Sequence, residues 1–189
     1  MARNYTKTRR AELEEETRLR IADAALALHS EIGPARTTVS QIAERAGVQR
    51  HTVYAHFPHE RSLLMACSGL HLEREPLPSP VGWDSIRDPT QRLTKALTAL
   101  YGWFDRNEAV LGPVLRDAEH HVLLREISGL RFGPGIGAIA SSLAPGLDLK
   151  AKAALRLAMS FHTWRTLTRE AGLKPAAAVE LMVRAVLPR

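Results

Sequence analysis

The chain has 189 residues, 45% of them hydrophobic and 24% charged, with a formal net charge of +6. These totals are those of an ordinary globular protein, one domain or a small plus a medium one. They leave no apolar run near the ~20 residues of a membrane-spanning helix, and a single cysteine, Cys67, that has no intramolecular partner and reads as a small buried apolar residue in a reducing cytoplasm.

Residues 1–12 place Arg3, Lys7, Arg9 and Arg10 before any clear periodicity. The N-terminus is polar and basic without an apolar core segment, so no secretory signal is read there. Two readings stand: a solvated tail, or a basic arm that reaches phosphates or a neighbouring minor groove, with Arg10 among its contacts. A helix is expected from about Glu12, with Ile21, Ala24, Ala25, Leu28 and Ile32 as its apolar stripe and Gly33-Pro34 as its end.

The stretch from Thr37 to Phe57, TTVSQIAERAGVQRHTVYAHF, predicts two short helices across a tight turn. Thr38 and Gln41 have the Thr-x-x-Gln spacing of a capping box. Val39, Ile42, Ala43 and Ala46 repeat at i, i+3, i+4, i+7 and would bury one face. Gly47 stands where a helix end needs a residue tolerant of positive φ. A second helix over about Arg50 to His56 turns Val53 and Phe57 inward. Gln49, Arg50, His51, Thr52, Tyr54 and His56 remain on its other side, a polar, aromatic and cationic face of the kind a DNA major groove accepts.

In these residues the chain resembles the tetracycline-repressor (TetR/AcrR) family of bacterial transcription regulators. The resemblance covers Arg20 to Leu64 and rests on Ile42-Ala43-x-x-Ala46-Gly47-Val48, on Thr52-Val53-Tyr54 and on His56-Phe57. Two positions depart from the family pattern. Gln49 stands where Ser is usual, which weakens the expected cap, and Glu60 stands where Lys is usual, which moves a phosphate contact to His59 or Arg61. The resemblance implies an all-α fold: an N-terminal three-helix helix-turn-helix DNA-binding domain and a C-terminal helical ligand-binding and dimerisation domain. Net charge does not mark the DNA-binding half, since residues 1–64 hold ten Lys and Arg against eight Asp and Glu.

Glu60 to about Glu75 reads as a connecting helix, and Pro76, Pro78, Pro80 and Gly82 as a break. The expected domains are therefore 1–59, with 1–12 as a basic arm, a connector over 60–82, and 83–189. Asp88-Pro89-Thr90-Gln91 is a strong helix start. Asn107 is expected to cap a further helix interrupted near Gly112-Pro113. Between His120 and Leu143, glycines and Pro134 predict a short helix, a bend near Phe132, and a helix over 136–143. Asp148 should cap one long helix reaching Ala171, and Pro175 should open the last.

Trp103, Phe104, Phe132, Phe161 and Trp164, with His121 and Arg165, read either as plain core or as a mostly apolar pocket. The family resemblance favours a pocket for a small apolar or amphipathic effector. It also implies a homodimer closed by the last two helices through Leu149, Ala153, Leu157, Val179, Met182, Val183 and Val186. Adjacent His120-His121 point ~100° apart on a helix and make a poor metal pair, so no metal and no cofactor is expected. No phosphate loop, nucleophile elbow or HExxH motif points to an enzyme. The reading is a cytoplasmic, nucleoid-associated homodimeric regulator of a palindromic double-stranded DNA operator. A repressor released by an effector is preferred over an activator or an effector-independent regulator. An enzyme or a helical partner-binding module without DNA is the competing class.

Overall fold

The computed structural model describes residues 2–187, with side chains from Arg9 onward, so Arg3 and Lys7 of the expected arm lie outside the described side chains. Among the described residues there are nine helices and no strand. Two compact units divide the chain: Met1–Arg74 with Ala109–Ser128, and Glu75–Glu108 with Gly129–Arg189. This partition differs from the contiguous 83–189 expected from sequence, because segment 109–128 gathers with the N-terminal residues.

In the first unit, α1 (Ala2–Glu31) is longer than expected, running through the basic residues that showed no periodicity. Arg10 is exposed on it and pairs with Glu14 one turn later. Ile21, Ala24, Ala25 and Leu28 are buried against α2 (Val39–Ala46), α3 (Arg50–His56) and α4 (Glu60–Arg74), around Ile42, Ala43, Val53, Phe57 and Leu63. Gly33 ends α1 at φ 91°, and a Cβ there would run into the side chains of Arg116 and Asp117. The latter carboxylate also accepts a hydrogen bond from the Ala35 backbone N–H at 2.9 Å.

In the second unit's chain order come α5 (Pro89–Ala118) and α6 (Val122–Leu143), each of which also supplies the first unit. Both helices run through an internal proline, Pro113 and Pro134, where breaks were expected. An interior proline costs ~3 kcal/mol. Each helix has buried anchors on both sides of it, Phe104 and Leu111 before Pro113 with Ala118 after, Leu124 and Ile127 before Pro134 with Ile139 and Leu143 after. Full burial contributes ~1.5–3 kcal/mol per large apolar side chain, so the packing outweighs the missing bond. Gly135 is tied to packing too, since a Cβ there would meet Leu77 Cδ1 at 2.5 Å. Asn107 caps nothing: it is buried mid-helix, and its amide donates to the Trp103 carbonyl at 2.8 Å.

The long helix expected from Asp148 is three pieces: α7 (Leu149–Ala158), α8 (Phe161–Arg165) and a π-helical turn over Thr166–Glu170. Ser160 is extended (φ −80°, ψ 135°), and the break frees the Ala158 carbonyl, which accepts from the buried Tyr101 hydroxyl at 2.9 Å. Burial pushes that phenol up in pKa. The last helix, α9 (Pro175–Val186), packs along α7.

Candidate nucleic-acid interface

The residues between Thr38 and Phe57 form the two-helix unit that their spacing predicts. Thr38 Oγ1 accepts from the Gln41 backbone N–H at 3.3 Å, and Gln41 Oε1 accepts from the Thr38 N–H at 2.8 Å, so two orphan donors of α2 are satisfied reciprocally. Gly47 closes the helix in the left-handed region, at φ 65° and ψ 37°. The Val48 N–H then bonds the Ala43 carbonyl at 2.9 Å, completing the turn. Gln49 caps α3 with its backbone only, with no side-chain bond, which leaves that side chain available outward.

Burial divides α3 into two faces. Val53 and Phe57 are 1% and 4% exposed, and the Arg18 guanidinium lies 5.3 Å from the Phe57 ring centroid. On the other side Gln49, Arg50, His51 and Tyr54 are exposed, while Thr52 and His56 are half-buried. Thr38 and His59 are exposed as well. Arg50 makes no ion pair among the described residues. By contrast Arg45 is committed to Glu31, and Arg74 to Asp23.

The departure at Glu60 has a structural counterpart. Arg61, one of two proposed replacements for a phosphate contact, makes a bidentate pair with Glu126 at 2.7 and 2.9 Å, and that guanidinium holds the Glu126 carboxyl below its ordinary pKa. Glu60 itself faces His121 Nε2 at 3.5 Å. His59 is thus the replacement left open to solvent. Arg36, outside every motif, is an exposed cation in the 3-10 turn before α2 with no ion pair among the described residues. Its position two residues before the Thr38 cap was the available signal.

Within the first unit, His29 is 5% exposed, with Nδ1 3.6 Å from Cys67 Sγ. Burial lowers its pKa to about 4, against a smaller opposing pull from the Asp117 carboxylate. Cys67 is buried, as its composition context predicted.

Five of the predicted effector residues meet as one packed aromatic cluster. Trp103, Phe104, Phe161 and Trp164 are buried and pack on one another, with Phe104–Phe161 at 5.6 Å and Phe161–Trp164 at 5.3 Å between centroids; Phe132 joins at 6.0 Å from Trp103. Tilted and edge-on rings at these spacings are favourable aromatic pairs that add to the burial of the cluster. His121 belongs to the other compact unit, and Arg165 is exposed. The cation that does meet the aromatics is Arg169, 4.8 Å from the Trp164 ring and bonded to Asp105 and Glu108 at 2.5 and 2.8 Å. Trp164 and Arg169 are five apart, a spacing that a π turn brings together and an α-helix does not. A cavity of about 580 Å³ lies between α6 and α7 and touches none of the predicted effector residues.

The expected dimer residues also divide. Leu149 (84% exposed), Ala153 and Leu157 (58%) do face outward on α7. Val179, Met182, Val183 and Val186 are buried within the chain itself, so they are core. The outward apolar face of α9 is instead Ala177, Leu181 and Ala185.

With this geometry in place, residues 21–67 match the family described as bacterial regulatory proteins, tetR family. The match spans the helix-turn-helix and parts of the helices on either side of it. The probable HTH-type transcriptional regulator ArpR of Pseudomonas putida is 35% identical over 98 residues, 51% of this chain and 44% of that protein, so the chain spans less than half the length of that relative. Over nearly the whole chain the fold matches a HlyIIR mutant (TM-score 0.68, 16% identity, 93% of this chain and 98% of that one). It also matches the multidrug binding protein EbrR complexed with imidazole (TM-score 0.63, 20% identity, 91% and 96%). The all-helical architecture, N-terminal helix-turn-helix followed by a helical C-terminal region, is shared with these structures. None of the described helices is long and apolar enough to cross a membrane.

Proposed function

We propose that the chain is a DNA-binding transcriptional regulator, a repressor that grips a palindromic operator as a homodimer in the bacterial cytoplasm, at the nucleoid. The carrying observation is the outward polar face of α3 on a tetR-family helix-turn-helix. Gln49, Arg50 and His51, at its N-terminal end, read base edges; Arg pairs with guanine and Gln with adenine in the major groove. Thr38, Thr52, Tyr54, His56 and His59 contact phosphates and fix register, with Arg10 supplying charge further out.

A second copy docks on the outward face of α7 and α9, where Leu149, Ala153, Leu157 and Leu181 leave apolar area exposed. Two heads so joined present two recognition helices about 34–36 Å apart, or a multiple of that. A small apolar or amphipathic effector bound in the C-terminal unit releases the DNA, in keeping with the multidrug binding described for EbrR. Binding to the DNA upstream of its own gene, measured across a salt series, tests the reading. Affinity should fall steeply and linearly on a log–log plot as counterions are released. Equal affinity for that DNA and for unrelated sequence would refute it.

A further inference from the structure

α7 has three faces. Leu155 and Ala158 turn into the core, Leu149, Ala153 and Leu157 turn outward, and Lys152, Arg156 and Met159, at i, i+4 and i+7, turn toward α6. Across from that third face α6 presents Gly133, Ile136, Gly137 and Ala140, and the two helices leave a groove of about 580 Å³, within the range of small-molecule sites. The space exists because of missing side chains: a Cβ built on Gly133 or Gly137 meets no atom within 4 Å. No Asp or Glu lines the groove, and α7 itself, LKAKAALRLA, contains none. Lys152 and Arg156 make no ion pair among the described residues, although arginines elsewhere, such as Arg61 and Arg169, are matched to carboxylates. An apolar trough with two uncompensated cations on one wall is complementary to a molecule with an aliphatic body and one anionic end.

We propose that this groove binds an aliphatic carboxylate, its chain along Ile136, Ala140, Leu155 and Met159 and its head between Lys152 and Arg156. This deepens the regulator reading by giving the effector a site and a chemical class, and it rests on that reading only for the consequence at DNA. The site is separate from the aromatic core of Trp103, Phe104, Phe161 and Trp164.

Calorimetric titration of the full chain with sodium octanoate tests it, with octanol as the uncharged control and no DNA present. Octanoate should saturate at one per chain and bind at least about tenfold more tightly than octanol. Each added methylene, while the chain still fits, should tighten binding about threefold to fourfold. The double variant Lys152→Ala/Arg156→Ala should lose at least about tenfold. Gly137→Leu should abolish binding while keeping or raising thermal stability, because its side chain enters open space and leucine favours helix over glycine. No saturable binding, equal affinity for octanol, or full affinity retained in either variant would overturn the assignment. Because the titration contains no operator, its failure leaves DNA binding standing, and a failed operator assay leaves the titration standing.

Discussion

At the scale of single residues, Arg50 and Tyr54 separate two kinds of contact. Arg50→Ala should cost ~1–3 kcal/mol at one operator position and relax base preference there. Tyr54→Phe should weaken all sequences alike, as loss of a phosphate contact does. Competition against a randomised-site library tells these patterns apart, and their reversal would contradict the division of α3. His29 carries a second prediction. Its folded pKa is depressed to about 4 from an ordinary 6.5, so the unfolded chain binds the proton first. The stabilisation is full above pH 6.5 and drains away as pH falls from 6.5 toward 4, by up to about 3 kcal/mol. Urea unfolding at pH 7 and pH 5 measures it; His29→Met should flatten that difference, and an unchanged slope in the variant would show that other groups carry it. None of this was legible from composition, because a histidine among apolar residues looks the same whether it is neutral core or ligand.

At the scale of elements, what sequence showed and what it hid have different physical origins. The capping box of Thr38 and Gln41, the left-handed Gly47 and the stripe of Ile42, Ala43 and Ala46 are local signals, and the helices α2 and α3 follow them. Thr38→Ala should therefore cost ~1 kcal/mol of stability in chemical denaturation, and no loss would mean that the box is idle. Tertiary packing overrode local signals elsewhere. Pro113 and Pro134 read as helix ends, yet both helices continue because buried residues anchor each side. In the stretch from Asp148 to Ala171 the reverse held: continuous helical periodicity hid the break at Ser160, where Tyr101, distant in sequence, takes the Ala158 carbonyl. The π turn that follows shifts the register, so the aromatic set met Arg169 rather than Arg165. The inward Val179, Met182, Val183 and Val186 illustrate a further limit, since an apolar stripe does not say whether its partner is the same chain or another.

At the scale of the whole molecule, a palindromic operator requires a twofold assembly that carries two helix-turn-helix units. Leu157→Glu places a charge on the exposed apolar face of α7 and should shift the protein toward monomer in sedimentation, with a matching loss of operator affinity; a charged variant that stays dimeric would move the interface elsewhere. Whether the outward side of α3 reads base edges is decided by footprinting the wild-type protein beside an Arg50→Glu/His51→Glu variant on its upstream DNA. Two half-sites should be protected, one helical turn or a multiple apart, and the protection should vanish in the variant with its helical content intact. Protection that survives the double charge reversal, or protection without twofold symmetry, would contradict this reading.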